Sequence, residues 1–259
     1  MKTKLYILPI LLLFLTSCIK EGRGYFVEDG KRYFEYWHGG NWELTKTSVP
    51  VDMETFEIVE SALGKRFAKD KNHVFARTTI VPDADPKSFR FPNGKNGIHA
   101  IDKNRIYRNG FTPLPGSTSE GFKVLDERRV YIRDKFRVYC DSEALDICSI
   151  DNFKLVGKHW STDGCHYFYN SHKIPSNDYD NIELFRLGIA KDSENIYLKD
   201  QRVLDVLRKR GIKIDTIYAE SFEPYDLKYK WIFKDKIGCI DINTFGVKNG
   251  RIDCPDKSE

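Results

Sequence analysis

The chain has 259 residues, of which 41% are hydrophobic and 31% charged. That is room for one large domain or two small ones, and it excludes both compositional disorder and a multi-span membrane protein. The 42 Lys and Arg against 38 Asp and Glu leave a net charge of +4, too balanced for a nucleic-acid footprint, while 14 Tyr and 17 Phe favour half-buried strands.

At the N-terminus, Lys2 and Lys4 precede an apolar run from Leu5 to Leu15 broken only by Pro9. The run is too short to cross a bilayer, which needs about 20 apolar residues, and it has the form of a secretory signal. Leu15-Thr16-Ser17-Cys18 follows at once and resembles a bacterial lipobox, in which lipid is attached to the Cys sulfur and the chain is cut just before it. The resemblance implies a signal peptide over 1–17, an acylated Cys18 as first mature residue, and an anchor and linker over 18–28. Each buried CH₂ of an acyl chain contributes about 0.8 kcal/mol. Cleavage leaves 40 basic against 38 acidic residues, so the expected membrane partner is lipid held through Cys18 rather than by charge. Ile19, where enteric lipoproteins retained at the inner membrane carry Asp, implies delivery to the outer membrane.

Beyond the linker the chain repeats. KDKNHVFAR (69–77), IDKNRIYRN (101–109), RDKFRVYCD (133–141), TDGCHYFYN (162–170) and KDSENIYLK (191–199) each place a bulky pair four and five residues after an Asp. Asp70, Asp102 and Asp134 are 32 residues apart, and Asp163 and Asp192 follow at steps of 29. Asp29 with Tyr33-Phe34 and Asp126 with Val130-Tyr131 fit the same frame. A second landmark keeps phase: Phe89, Phe122, Phe153 and Ile182 lie 19 or 20 residues after their Asp. Phe56 and Phe222 lie 27 and 30 after theirs, which places insertions near 38–44 and 206–214. A last, worn repeat is expected to end at IDINTFGV (240–247), echoing VDMETFEI (51–58).

Each repeat reads as hairpins. Residues before the Asp (RFAK, IHAI, VYIR) form a short strand, and Asp-Lys-Asn a tight turn, since Asp and Asn side chains bond nearby backbone and tolerate left-handed dihedrals. The Val/Ile-Tyr/Phe pair opens the returning strand. A second turn follows at Arg108-Asn109-Gly110 and Asn170-Ser171-His172, then a strand-ending segment with Pro82, Pro113 or Pro175. Lone hairpins are barely stable in water, so stacked repeats must share a core. The expectation is one all-β body over 29–254, with about six or seven tandem repeats of about 30 residues. An open superhelix or solenoid is favoured over small-bladed propeller-like closure, because a WD40-type blade takes about 40–45 residues. The Tyr/Phe pairs are expected as core. Val203, Leu204 and Leu207 at helical spacing, with Gly211 as a stop, predict one short helix near 203–211; its basic face is expected to be solvated.

Catalytic and cofactor motifs are missing: there is no Cys-x-x-Cys, His-Glu-x-x-His, Gly-x-Ser-x-Gly or phosphate-cradling loop. Asp70, Asp102, Asp134, Asp163 and Asp192 are read as turn residues, and Asp83/Asp85 and Asp178/Asp180 as turn caps rather than a calcium loop. His166 and His172 flank a turn without metal-ligand spacing. No metal and no cofactor is expected. Setting Cys18 aside, Cys140, Cys148, Cys165, Cys239 and Cys254 are an odd number, so at least one thiol stays unpaired. Cys239 and Cys254 are the pair expected to clip the C-terminal repeat.

FAKDKNHVFARTTIVPDADPKSFRF (67–91) and HAIDKNRIYRNG (99–110) resemble the repeats of the DKNYY family of bacterial proteins, which carry Asp-Lys-Asn, an aromatic pair, an Ile-Pro-like segment and Ala-Asp-Pro-x-Ser/Thr-Phe. The last element here is Ala84-Asp85-Pro86-Lys87-Ser88-Phe89. The family's Asn-Tyr-Tyr is replaced by Asn72-His73-Val74-Phe75 and Asn104-Arg105-Ile106-Tyr107; Phe136 stands where Asn would follow Asp134, and Gly164 where Lys would follow Asp163. The resemblance covers most of 29–247, is strongest over 67–110, and implies repeat architecture without an activity or catalytic residues. The expected function is a membrane-anchored envelope lipoprotein that acts as a non-catalytic binding or scaffold module for a protein or polymer partner. Two rivals stand beside it: an immunity-type lipoprotein that neutralises a toxin, and an envelope enzyme acting on glycans through dispersed carboxylates.

Overall fold

The structure, a computed structural model, describes residues 24–28, 31–38, 41–46, 51–126, 130–212, 214, 216–226, 232–241 and 254. Among them the strands form seven small antiparallel sheets of three or four strands, each an open meander in chain order. The Asp70 repeat shows the plan: Glu57–Val59, Phe67–Lys69, Val74–Ala76 and Thr79–Ile80 pair successively. Four-stranded sheets of the same order surround Asp134, Asp163 and Asp192. Around Asp102 the first strand shrinks to a bridge from Arg90 to Ile101. The insertion near 38–44 lengthens a hairpin rather than adding an element, with Lys31–His38 pairing with Asn41–Lys46. Asp29 lies outside the described residues.

Two turns define each hairpin. At the first, the Asp amide donates to the carbonyl three residues on, as from Asp70 to His73 and from Asp102 to Arg105. At the second, seven residues after the Asp, the backbone is left-handed: φ is 58° at Arg77, 52° at Asn109, 57° at Asp141, 53° at Asn170 and 60° at Lys199. Asn and Asp suit that region, whereas a long side chain costs about 1–2 kcal/mol there. The Asp102 repeat adds Gly110 to this turn, where a Cβ would sit 2.5 Å from the Phe67 ring and 2.6 Å from that of Phe91.

The structure moves the repeat boundary by one strand. Phe56, Phe153, Ile182 and Phe222 immediately precede the first strand of the following sheet, so the aromatic landmark belongs to the next hairpin. It also corrects two assignments. Asp126 does not start a repeat: its Oδ1 accepts the Val130 and Tyr131 amides, at 2.7 and 2.9 Å, in the link between the first two strands of the Asp134 sheet. The seventh sheet turns at Asp235, between Ile232–Asp235 and Gly238–Asp241, while most of 240–247 lies outside the described residues.

The core is divided among the junctions between hairpins. Phe67, Val74, Phe89, Phe91, Ala100 and Tyr107 form one cluster from the Asp70 and Asp102 hairpins, and Trp160, Ile174, Ala190 and Tyr197 another from those of Asp163 and Asp192. The paired bulky residues are buried as core: Val74, Phe75, Ile106, Tyr107, Val138, Tyr139 and Tyr197 are at most 1% exposed. The helix spans Val203–Lys209 and buries Val203 and Leu207 against Ile196, Phe233 and Ile240. It ends in a Schellman arrangement, with the Ile212 amide on the Leu207 carbonyl, the Gly211 amide on Arg208, and Gly211 at φ 74°. The chain divides into two compact units, Met1–Glu120 and Gly121–Glu259.

If the second turn is strained where it carries a long cation, relieving it stabilises. Arg77→Asn and Lys199→Asn are each expected to raise unfolding free energy by about 0.5–1 kcal/mol, seen as a higher urea midpoint at unchanged slope. A lower midpoint would show that these side chains hold the turn.

Candidate functional site

Six aspartates that begin hairpin turns, Asp70, Asp102, Asp134, Asp163, Asp192 and Asp235, are at most 3% exposed. A buried carboxylate survives only if its oxygens are bonded, and here the bonding repeats. Oδ1 accepts the amides two and three residues on, at 2.6–3.2 Å in all six. Oδ2 reaches back to the loop that leads in from the preceding hairpin. It accepts the amide of Asp52 at Asp70, Asp85 at Asp102, Cys148 at Asp163 and Tyr218 at Asp235, at 2.7–3.1 Å, and the Ser176 hydroxyl at Asp192, at 2.6 Å. One carboxylate therefore fixes a turn and ties two segments 15–18 residues apart.

A further donor depends on the residue five positions on. Where it is Tyr, the hydroxyl donates: Tyr107 to Asp102 at 2.7 Å, Tyr139 to Asp134 at 3.3 Å, Tyr197 to Asp192 at 2.5 Å. Where it is Phe, the residue three positions on is His. His166 Nδ1 lies 3.1 Å from Asp163 Oδ2; His73 Nδ1 lies 3.8 Å from Asp70, too far for a hydrogen bond. At Asp163 and Asp192 burial raises the carboxyl pKa, but the converging donors outweigh it and hold both below the usual range. Burial first, and then the neighbouring carboxylate, push Tyr139 and Tyr197 up to about 12. These carboxylates are spent on the fold.

The loops that meet these aspartates are capped in turn. Asp52 Oδ1 accepts the Glu54 and Thr55 amides, and the Thr55 hydroxyl accepts the Lys71 amide at 3.0 Å. Ser88 and Ser221 do the same for Lys103 and Lys236, at 2.9 and 2.8 Å. Asp85 caps Ser88, Asp178 bonds Asn181 and Ser193, and Asp83 pairs with Arg105. At Asp163 a disulfide from Cys148 to Cys165, with Cα atoms 6.4 Å apart, makes the corresponding link covalent. In a loop of this length it contributes about 3 kcal/mol. It was missed in the sequence: Cys148 supplies to Asp163 the loop amide that Asp52 and Asp85 supply to Asp70 and Asp102, and Cys165 holds the turn position of Asn72 and Asn104. Asp235, also missed, begins an Asp-Lys pair with Cys239-Ile240 four and five residues on. Cys239 and Cys254 are joined by a disulfide, and Cys140 is a buried free thiol, pushed by its burial to about 11. Cys148, Asp163 and Cys165 gather ligating atoms, but each donor is already engaged, sulfur with sulfur and carboxylate with amides. His172 meets Ser171. Cys18 lies outside the described residues.

Two grooves open beside the second turns. One, of about 530 Å³, lies between the Asp70 and Asp102 hairpins, with Phe67, Ile80 and Phe111 on its walls and Arg66 and Arg77 at its rim. The other, of about 640 Å³, lies between the Asp163 and Asp192 hairpins, with Trp160, Tyr169 and Leu184 on its walls and Lys158, Arg186 and Lys199 at its rim. Among the described residues no Asp or Glu lines either. Phe111 and Val156, two of the few exposed large apolar residues, belong to them.

Small meanders, six of the seven turned on a buried Asp and packed through junction cores, define a tandem β-hairpin repeat protein. A profile of the DKNYY family matches residues 7–110, 67–201 and 99–241. The chain belongs to the DKNYY family. No curated protein and no solved structure matches it.

Asp102→Asn leaves buried donors facing an amide nitrogen and is expected to cost about 3 kcal/mol; Tyr107→Phe should cost about half as much. Urea unfolding of both variants measures this, and equal stability of Asp102→Asn and wild type would contradict the capping role. Because the folded pKa of Asp192 is depressed, its stabilisation is complete above about pH 4, the ordinary carboxylate range, and is lost as pH falls through the folded value. The acid limb of the stability–pH curve should therefore flatten in Asp192→Asn; superposable limbs would assign the effect elsewhere.

Proposed function

We propose that the protein is a lipid-anchored envelope lipoprotein that acts as a non-catalytic binding module for a protein or polymer partner. The observation that carries this reading is where the polar groups go. The recurring carboxylates, the residues a repeat-borne acid–base mechanism would draw on, are buried and bonded to turn amides, loop amides and tyrosine hydroxyls. What the repeats turn outward is apolar and cationic groove surface. Repeat arrays commonly use such surfaces to bind partners.

The anchor rests on the run from Leu5 to Leu15 and on Cys18 directly after Leu15-Thr16-Ser17. Among the described residues no helix is long and apolar enough to cross a membrane. Attachment in this reading comes from acyl chains on Cys18, delivered to the outer membrane as Ile19 suggests.

Two experiments test the two halves. Cys18→Ala is expected to shift the protein from the membrane fraction to the soluble or precursor fraction and to abolish labelling by a clickable fatty acid; unchanged labelling would defeat the anchor. Affinity capture from cross-linked envelopes should recover a specific partner. Purified protein that turned over a substrate, and lost that activity on one polar substitution, would replace the binding reading with an enzymatic one.

A further inference from the structure

The two grooves have a common construction that the repeat does not require. Both lie beside the end of their hairpins that carries the second turn, and both use the residue three before the Asp as an aromatic wall, Phe67 in one and Trp160 in the other. Among the described residues three other junctions are bridged or covered. Tyr25 donates its hydroxyl to the Arg66 and Arg77 carbonyls, Tyr131 donates to the Asn170 carbonyl at 3.1 Å, and the helix covers the junction after Asp192 with Val203 and Leu207.

The rims are cationic in a way the fold does not repay. Arg77 and Lys199 occupy left-handed turn positions, φ 58° and 60°, where other repeats have Asn or Asp. Both are exposed. Neither forms an ion pair among the described residues, and the same holds for Lys158 and Arg186. A side chain that breaks a local rule without a structural return marks a functional position.

Each groove also carries backbone from an edge strand. The Val81 amide returns to Val74 and the Phe185 amide to Ile189. By antiparallel alternation the preceding residues, Ile80 and Leu184, turn their amide and carbonyl away from their own sheets. Thr79–Ile80 and Glu183–Leu184 are edge strands, and Ile80 and Leu184 line the grooves.

We infer that these grooves are twin docking sites for an extended acidic polypeptide segment of a partner protein. Its apolar side chains seat against the exposed Phe111 or Val156, over the buried rings of Phe67 or Trp160, its carboxylates face Arg77 or Lys199, and its backbone adds to the edge at Ile80 or Leu184. The period of two along a strand puts apolar and acidic residues on opposite faces, and strand addition supplies sequence-tolerant affinity. This rests on the binding-module reading and specifies its site.

The test uses the full chain in detergent and a (Glu-Phe)4 peptide, followed by calorimetry and by Trp fluorescence, to which Trp160 contributes. Two sites per chain are expected, weakening with salt, with (Lys-Phe)4 bound at least about tenfold more weakly. Arg77→Asn should remove one site and Lys199→Asn the other, while both variants keep or gain stability, which separates lost binding from lost folding. Failure of (Glu-Phe)4 to saturate, equal binding of (Lys-Phe)4, tighter binding of polygalacturonate than of the peptide, or unchanged binding by both variants would each overturn the inference. A partner cross-linked equally by wild type and the double variant would overturn the grooves and leave the binding module standing; no partner for either would remove the module as well.

Discussion

A buried carboxylate at the turn holds six of the seven sheets together. An ionised side chain inside protein is costly unless its oxygens are met by donors, and five of these Asp residues meet that condition with groups from two places. The turn supplies two amides to Oδ1, and the incoming loop supplies a donor to Oδ2. The turn cannot relax without uncovering the charge, and the loop cannot detach without doing the same. A local feature, an Asx turn, thereby becomes a link between segments distant in sequence.

That link answers a difficulty inherent in small sheets. Strands of two to four residues, which most of these are, do not form independently stable hairpins, and their apolar faces are too small to hide alone. Their clusters therefore straddle junctions: Phe67 and Phe89 pack with Tyr107, and Trp160 with Tyr197. The carboxylate sets how the loop enters the hairpin, and the junction cluster rewards that placement with burial. The donor substitution shows the same constraint from another side. When Tyr gives way to Phe at the fifth position, a His three positions after the Asp faces the carboxylate, closely at Asp163 and less closely at Asp70. At Asp163 a disulfide ties loop to turn covalently, where other repeats use a Ser or Thr hydroxyl.

Much of this was legible in the sequence, because the repeat displays its chemistry in place. The spacing of Asp70, Asp102 and Asp134 exposed the hairpins; the Val/Ile-Tyr/Phe pairs announced the core; Val203, Leu204, Leu207 and Gly211 announced the helix and its stop. What escaped was non-local. The aromatic landmark was assigned to the hairpin before it, since spacing alone does not say with which neighbour a strand pairs. Asp126 imitated the repeat because a loop-capping Asp also precedes bulky residues, at the same distance. Asp235 was passed over because Ile237-Gly238 replaces the polar turn residues and a long insertion breaks the period. Cys148 and Cys165 went unpaired because the approach of loop to turn that joins them exists only in three dimensions. The grooves were the least legible part, since their walls come from side chains of two hairpins that meet only in three dimensions.

The division of labour between recurring and varying positions bears on function. Positions that recur, the Asp, the bulky pair and the aromatic landmark, are buried or partly buried and spent on stability. Positions that vary are where the junctions differ: a Tyr hydroxyl seals two of them, a helix covers another, and two stay open behind Phe67 and Trp160. In those two the turn accepts a left-handed Arg or Lys, although Asn serves the backbone better. A scaffold whose repeats are held by interactions identical in kind can change one junction without disturbing the next, because each carboxylate answers only to its own turn and its own loop. The repeat thus separates the chemistry that folds the chain from the surface that recognises something else, and the second can change while the first stays constant.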